Sequence, residues 1–231
     1  MSDRSIVMMS GLATQKAFDD VIFDAFEKES GITVTPVYDP TTELLRRIDA
    51  GEVFDVMIAA TPSFQDLIQR GIIAPAPTPI VRAGIGLAVR KGDQRPAIGS
   101  RHELIDALVS ARSVAYSRAG QSGIYFVEMV KRLGIDAAVL SKATALDKGF
   151  SATALATGEA DLAIQQLSEL MFVPEADIIG GLPADLQKWT EFSAGVAVSS
   201  VNNPDVQAFI DYISSSKSSP AYLATELEPL N

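Results

Sequence analysis

Apolar runs of strand length alternate with stretches of helical periodicity from the start of the chain. Three runs predict buried strands, "RSIVMMS", "ITVTPVY" and "FDVMIAA". Between and after them, residues 14–30, "TTELLRRIDAG" and "TPSFQDLIQRG" carry apolar residues at helical spacing. Strands and helices that alternate in this way predict an α/β fold, with a mostly parallel sheet flanked by helices.

A proline-rich segment, "PAPTP" at 75–79, interrupts this first set and is followed by a long strand, "IVRAGIGLAVRKG". A second α/β set runs from "RHELIDALVSAR" to "DLAIQQ", and a late strand, "WTEFSAGVAVSS", precedes two helices near 204–214 and 219–226. We predict two lobes, 1–80 with 190–231 and 81–189, linked by two crossover strands that act as a hinge. A cleft between such lobes is a common ligand site.

Composition narrows the class of protein. The chain has 231 residues, 47% hydrophobic, with a formal net charge of −10 and no cysteine. The acidic balance argues against a nucleic-acid partner, and no apolar run approaches the roughly 20 residues that cross a bilayer. Without cysteine there is no disulfide, thiolate zinc site or cysteine nucleophile. No metal-ligand spacing, G-x-S-x-G elbow or Walker A loop occurs, so we expect no cofactor and no metal.

The N-terminal stretch leaves localisation open. "MSDRSIVMMSG" has no apolar segment of the kind found in a signal peptide. The protein is therefore periplasmic if a leader was removed and replaced by Met, and cytoplasmic otherwise. We expect a monomer.

Four strand-to-helix junctions carry glycine and hydroxyl residues. They are "MSGLAT" at 9–14, "YDPTTE" at 38–43, "SRAGQSG" at 117–123 and "LDKGFSAT" at 146–153. Free backbone N–H groups and the helix dipole attract an anion at such positions. One junction alone is explained by ordinary helix capping. Four junctions, two in each predicted lobe, favour a shared anion pocket at the carboxyl ends of the strands.

The candidate ligand contacts fall into two groups. The hydrogen-bond donors are Ser10, Gly11, Thr14, Thr41, Thr42, Ser117, Ser122 and Gly123. The cations are Arg82, Arg118 and Lys148. Arginine offers a forked donor array that matches a carboxylate, although any one of these residues could equally be a surface charge.

The order of several longer stretches resembles the molybdate-binding family of periplasmic solute-binding proteins, which has a type II two-lobed fold. The landmarks are "IVMMSGLATQKAF", "GITVTPVYDPTTELLRRIDAGEVFDVMIAA", "SGIYFVEMVKRLGI" and "GEADLAIQQLSEL". The resemblance implies anion contacts at Ser10 or its neighbours, at Thr41, at Ser122 and near Lys148. It also implies that Gln166 occupies the position of a tyrosine whose hydroxyl binds the anion in that family.

The loss of this tyrosine, together with the cations in the loops, suits a ligand with more than one carboxylate. The stretches "QQLSEL" and "LEP", at 227–229, are similar to an organic-anion branch of the family that includes aconitate isomerase.

Three functions remain open. The first is capture of a small anion, a di- or tricarboxylate rather than molybdate, by lobe closure for an ABC importer. The second is an aconitate isomerase that shifts an allylic proton and needs a base, for which Lys148 and Glu169 are the candidates. The third is binding of molybdate or sulfate.

Overall fold

The computed structural model describes residues 4–230, and the chain divides into two compact units. Unit 1 is Met1–Ala83 with Thr190–Asn231, and unit 2 is Gly84–Trp189. Both units are mixed α/β structures. The chain therefore leaves unit 1 once and returns to it once.

Ten strands and eleven α-helices make up these units among the described residues. The strands are β1 (Ser5–Ser10), β2 (Thr33–Tyr38), β3 (Val56–Ala60), β4 (Thr78–Arg90), β5 (Val114–Ser117), β6 (Thr144–Leu146), β7 (Leu162–Gln166), β8 (Ala176–Gly181), β9 (Trp189–Val196) and β10 (Leu227–Pro229). The helices are α1 (Leu12–Ala17), α2 (Phe23–Ser30), α3 (Thr41–Asp49), α4 (Phe64–Gln69), α5 (Arg101–Ser110), α6 (Gln121–Arg132), α7 (Asp136–Leu140), α8 (Thr153–Ala156), α9 (Leu167–Leu170), α10 (Pro204–Ile213) and α11 (Ser219–Leu223).

The sheet of unit 1 is built on three parallel strands. Strand β1 lies between β2 and β3 and is parallel to both. Antiparallel neighbours complete the sheet, because β9 pairs with β3 and β10 pairs with the first half of β4. The prediction of a mostly parallel sheet flanked by helices is confirmed for the central strands, and the antiparallel strands come from the segments near the crossovers.

The first helical region covers one face of this sheet. Helices α1 and α2 are joined by a π-helical turn, Phe18–Ile22, so that the chain is helical from Leu12 to Ser30. This region buries Phe18, Ile22 and Phe26, and the Phe26 ring lies 5.1 Å from the ring of Phe209 on α10. The helical region ends at Gly31, whose φ of 69° is a left-handed conformation that glycine adopts without strain.

Unit 2 repeats the parallel arrangement with different neighbours. Strand β5 lies between β6 and β7 and is parallel to both, whereas the second half of β4 runs antiparallel to β7 and to β8. Helix α6 packs on this sheet through Phe126, Met129 and Val130, which are fully buried. The sequence pattern did not identify β8, whose residues "ADIIGG" are only partly buried.

Candidate functional site

The first junction places two hydroxyl groups together at the end of β1. Ser10 and Thr14 are fully buried, and their side-chain oxygens lie 2.8 Å apart. Gly11 between them is the N-cap of α1 and supplies no side-chain hydrogen bond to the helix. No side chain therefore caps the first backbone N–H groups of this helical region, and they can donate to another acceptor.

The second junction meets the first in space. The backbone N–H of Asp39 donates to the carbonyl of Ser10 at 3.2 Å. A β-carbon built at Gly11 would lie 3.9 Å from the hydroxyl oxygen of Thr41. Helix α3 begins at Thr41 after Pro40, which has no side-chain donor or acceptor and leaves the helix without a side-chain cap. The unit 1 half-site, defined as Ser10, Gly11, Thr14 and Thr41, is therefore one cluster at the carboxyl ends of β1 and β2.

Arg47 braces this second loop. Its guanidinium donates to Asp39 at 2.8 Å and to both carboxylate oxygens of Glu52 at 2.6 and 2.7 Å. Hydrogen bonds to two carboxylates hold the pKa of Arg47 well above its usual value. Because Asp39 precedes Pro40 and Thr41, Arg47 ties helix α3 to the loop from which the helix starts.

The third junction, "SRAGQSG", places a buried hydroxyl at the start of a long helix. Ser117 ends β5, and α6 begins at Gln121 with Gly120 as an N-cap that provides no side-chain hydrogen bond. Ser122, in the first turn of α6, is 1% exposed, and its hydroxyl has no hydrogen-bond partner within residues 4–230. A β-carbon built at Gly120 would lie 3.7 Å from the Ser122 hydroxyl and 3.8 Å from the Ser117 hydroxyl, so both hydroxyls border the same point.

The fourth junction differs from the prediction. The helix after it, α8, has only four residues, and the junction's buried hydroxyl is already used. The Ser151 hydroxyl donates to the carbonyl of Ile164 at 3.1 Å. Gln165 fixes the loop through both ends of its amide, since its Oε1 accepts from the Ser151 N–H at 2.6 Å and its Nε2 donates to the Gly149 carbonyl at 3.0 Å. This loop is therefore held by Gln165 and is not an open helix N-terminus.

The end of β7 carries a buried carboxyl group. Gln166 is 2% exposed, and Glu169 on the short helix α9 is 8% exposed. Burial raises the pKa of Glu169 to about 7, and hydrogen bonds from the Gln165 side chain and the Gln166 backbone oppose that rise. The Glu169 Oε2 atom and the Ser168 hydroxyl are buried without a hydrogen-bond partner in the described part of the chain.

The three predicted cations differ in their surroundings. The Nε of Arg82 donates to the Glu228 carboxylate at 2.7 Å, so its charge is already balanced within unit 1. The Arg118 side chain is 62% exposed, and its guanidinium lies 3.8 Å from the Asp147 carboxylate, beyond hydrogen-bond distance. Lys148 is exposed on the loop after β6. Arg118 and Lys148 thus lie in neighbouring loops at the carboxyl edge of the unit 2 sheet, because β5 pairs with β6 up to Ser117 and Leu146.

The structure thus brings most of the predicted donors into two clusters. The unit 2 half-site is defined as Ser117, Ser122, Gly123 and Gln166, which lie at the carboxyl ends of the neighbouring parallel strands β5 and β7. Thr42 is exposed on α3 beside the buried Thr41. Sequence reasoning missed Gln165, although two glutamines at the end of the apolar strand "DLAIQQ" were a signal, since buried amides need partners.

The described residues form neither a metal-binding cluster nor a membrane-spanning helix. No group of three or more His, Cys, Asp or Glu side chains within residues 4–230 is arranged to hold a metal ion. None of the helices in the same range is long and apolar enough to cross a membrane.

A fold of two α/β units, with the chain crossing between them twice, is characteristic of solute-binding proteins. Residues 6–222 match the family of bacterial extracellular solute-binding proteins, and the chain belongs to that family. Its fold is that of the periplasmic binding proteins. The periplasmic molybdate-binding protein of Azotobacter vinelandii matches with a TM-score of 0.75 and 17% identity, over 96% of this chain and 98% of that one.

Two curated relatives have different names. Aconitate isomerase of a Pseudomonas species is 31% identical over 214 residues, which cover 89% of this chain and 81% of that protein. The molybdate-binding protein ModA of Escherichia coli K12 is 26% identical over 214 residues, 90% of this chain and 82% of the relative. Relatives of this chain at 26–31% identity therefore carry the names of both a binding protein and an enzyme.

Proposed function

We propose that the protein captures a small organic anion with two or three carboxylates and delivers it to an ABC importer. The observation that carries this proposal is the Ser122 hydroxyl, which is buried without a partner at the uncapped start of the twelve-residue helix α6. A buried hydroxyl without a partner costs free energy in the empty protein. An anion bound at the helix N-terminus would satisfy it and would also accept from the free backbone N–H groups.

The cations favour an organic anion over molybdate. Arg118 and Lys148 place two positive charges in adjacent exposed loops beside the unit 2 half-site, and positive charge there favours a ligand with more than one carboxylate. A compact oxyanion is satisfied by neutral N–H and O–H donors and has no need of two fixed charges. The name of the 31% identical relative points in the same direction, because aconitate is a tricarboxylate.

The proposed mechanism is closure on the ligand. The chain passes from unit 1 to unit 2 within β4 and returns after Trp189, and two such crossings are the connection on which hinge closure operates in binding proteins. We propose that anion binding stabilises a closed state of the protein.

Calorimetric titration with trans-aconitate, citrate, molybdate and sulfate tests the ligand class. We expect the two tricarboxylates to bind more tightly than molybdate or sulfate. Tighter binding of molybdate or sulfate would contradict the organic-anion proposal, and failure of all four to bind would contradict anion capture itself.

A second candidate function is isomerisation of aconitate. Glu169 favours it, since a buried carboxyl with a pKa of about 7 can both accept and donate a proton near neutral pH. Lys148, the other candidate base, is exposed. The reaction would remove a proton from the CH₂ carbon, move the double bond and return a proton to the other allylic carbon, without any co-reactant.

Proton NMR of trans-aconitate incubated with the protein distinguishes the two functions. New cis-aconitate signals above a protein-free control would establish the isomerase. Broadened substrate signals without new ones would support a receptor only. In the enzyme case, Glu169→Gln should abolish the new signals and keep the broadening.

A further inference from the structure

Glu169 is a buried titratable group three residues after Gln166 of the unit 2 half-site, and Gln165 connects it to the loop of the fourth junction. The Gln165 amide accepts from the Ser151 N–H at 2.6 Å, donates to the Gly149 carbonyl at 3.0 Å and also bonds the Glu169 carboxyl. Gln165, at the end of β7, therefore joins Gly149, Ser151 and Glu169 in one hydrogen-bonded network.

The orphaned polar atoms are concentrated at the same edge of the sheet. Within residues 4–230, the buried side-chain oxygens without a partner are the hydroxyls of Ser122 and Ser168 and the Oε2 atom of Glu169. Ser122 follows β5, whereas Ser168 and Glu169 follow β7, and these two strands are parallel neighbours. Buried polar atoms normally have hydrogen-bond partners. Unpartnered polar atoms after both β5 and β7 therefore indicate that a ligand binds at the carboxyl ends of these strands.

We infer that Glu169 is the proton-linked group of the anion site, so that the protein takes up a proton at Glu169 when the anion binds. This inference rests on the proposed anion binding by unit 2. A negative ligand close to a buried carboxyl disfavours the carboxylate form of that group. Anion affinity is therefore highest while Glu169 is protonated and falls as the pH rises above its pKa.

Within residues 4–230, no charged side chain is among the causes of the raised pKa of Glu169. Strands β7 and β8 pack against α9. Strand β7 has no titratable side chain, and Asp177 of β8 lies 3.1 Å from Arg95 in an ion pair. The neighbouring loop carries Asp147 and Lys148, which are both exposed. The interactions on the Glu169 carboxyl come from two neutral amides, Gln165 and Gln166.

The pH dependence of trans-aconitate affinity tests the inference. For the wild-type protein we expect the dissociation constant to rise about three- to tenfold between about pH 6 and pH 9, which is below the limit of about tenfold per pH unit that one linked proton sets. Glu169→Gln keeps the size of the side chain but cannot ionise, so its affinity should change less over this range. Comparison of the two proteins cancels any ionisation of the ligand. An equal pH dependence in both would overturn the inference.

Two further measurements separate a proton-linked role from a structural one. Glu175→Gln, the same substitution at an exposed position before β8, should keep the wild-type pH dependence. Calorimetry near neutral pH in buffers with different ionisation enthalpies should show proton uptake by the wild type and less by Glu169→Gln. Equal uptake by the two proteins would contradict the inference.

A variant that fails to fold leaves the inference testable in the wild type. The carbon-13 shift of the Glu169 carboxyl, followed against pH, should have a higher midpoint with trans-aconitate than without it. An unchanged midpoint would overturn the inference. Absence of binding by the wild type at every pH would instead contradict the proposed function.

Discussion

Gly123 lies so close to Ser117 that a β-carbon at residue 123 would be 1.8 Å from the Ser117 carbonyl oxygen. The atom that a β-carbon at residue 123 would meet is a backbone carbonyl oxygen, so no side chain can move to relieve the contact. It brings the start of α6 directly onto the end of β5, where both hydroxyls of the third junction lie.

Gly123→Ala should therefore lower the free energy of unfolding by at least about 2 kcal/mol. Alanine is favoured over glycine in a helix by only about 1 kcal/mol, which does not offset a contact of this kind. Urea unfolding at neutral pH measures the change.

Gly120→Ala is the matched control for this prediction. It adds a methyl group at the N-cap of the same helix. The nearest atom there would be 3.7 Å away, which is ordinary van der Waals contact. Gly120→Ala should lower the free energy of unfolding by no more than about 1 kcal/mol, the usual cost of alanine at an N-cap. Equal stabilities of the two variants would contradict the close approach at Gly123.

Ser122 and Ser151 provide a second matched pair, since both are buried serines in unit 2. The Ser122 hydroxyl has no partner in the described structure, whereas the Ser151 hydroxyl donates to the Ile164 carbonyl at 3.1 Å. Ser122→Ala should leave the stability of the empty protein unchanged or slightly higher, and Ser151→Ala should lower it by about 1 kcal/mol.

For ligand affinity, in contrast to stability, Ser122→Ala should have a larger effect than Ser151→Ala. A hydrogen bond to a charged ligand contributes about 1.5–3 kcal/mol, so Ser122→Ala should weaken trans-aconitate binding about ten- to a hundredfold. Ser151→Ala should weaken it much less. Calorimetric titration of both variants checks this, and an unaltered affinity of Ser122→Ala would remove Ser122 from the binding site.

The core strands and the location of the junctions could be predicted from local pattern. Strands β1 and β5 are apolar runs bounded by turn residues, and the hydroxyl and glycine residues of the first and third junctions follow them directly in the chain. Parallel strands then place their carboxyl ends on one edge without further information. For this reason Ser10, Thr14 and Ser122 could be proposed as site residues from the sequence.

The partners of individual side chains could not be predicted in the same way. Arg82 pairs with Glu228, which is 146 residues away, because β10 runs antiparallel to β4. Local sequence does not distinguish an arginine that is paired on the surface from one that contacts a ligand. The pairing of distant strands makes the distinction, because it decides which carboxylate lies beside the arginine. The inward turn of Ser151 likewise depends on β7 and on the position of Gln165.

Arg47 and Arg46 allow a prediction about the unit 1 loop. Arg47 is 31% exposed and binds two carboxylates, whereas Arg46 is 70% exposed and pairs with Glu43 three residues earlier. Arg47→Met should lower the melting temperature more than Arg46→Met, because it leaves the partly buried Asp39 without its guanidinium. A thermal melt of both variants measures this, and a larger effect of Arg46→Met would contradict the bracing role of Arg47.

Glu169 makes stability depend on pH in a direction opposite to that of most carboxylates. Its pKa is about 7 in the folded protein and 4.5 in an ordinary environment, so the folded state holds a proton that the unfolded state releases. The resulting stabilisation is fully present below about pH 4.5 and is lost as the pH rises through about 7. Over the whole window the loss amounts to about 3 kcal/mol.

Glu169→Gln removes this dependence, since glutamine is neutral throughout. The stability of Glu169→Gln relative to the wild type should therefore increase between about pH 5 and pH 8, by about 2–3 kcal/mol. Urea unfolding of both proteins across this range gives the difference directly, and Glu175→Gln should show no such trend. A difference that stays constant with pH would mean that the Glu169 carboxyl titrates alike in the folded and unfolded states.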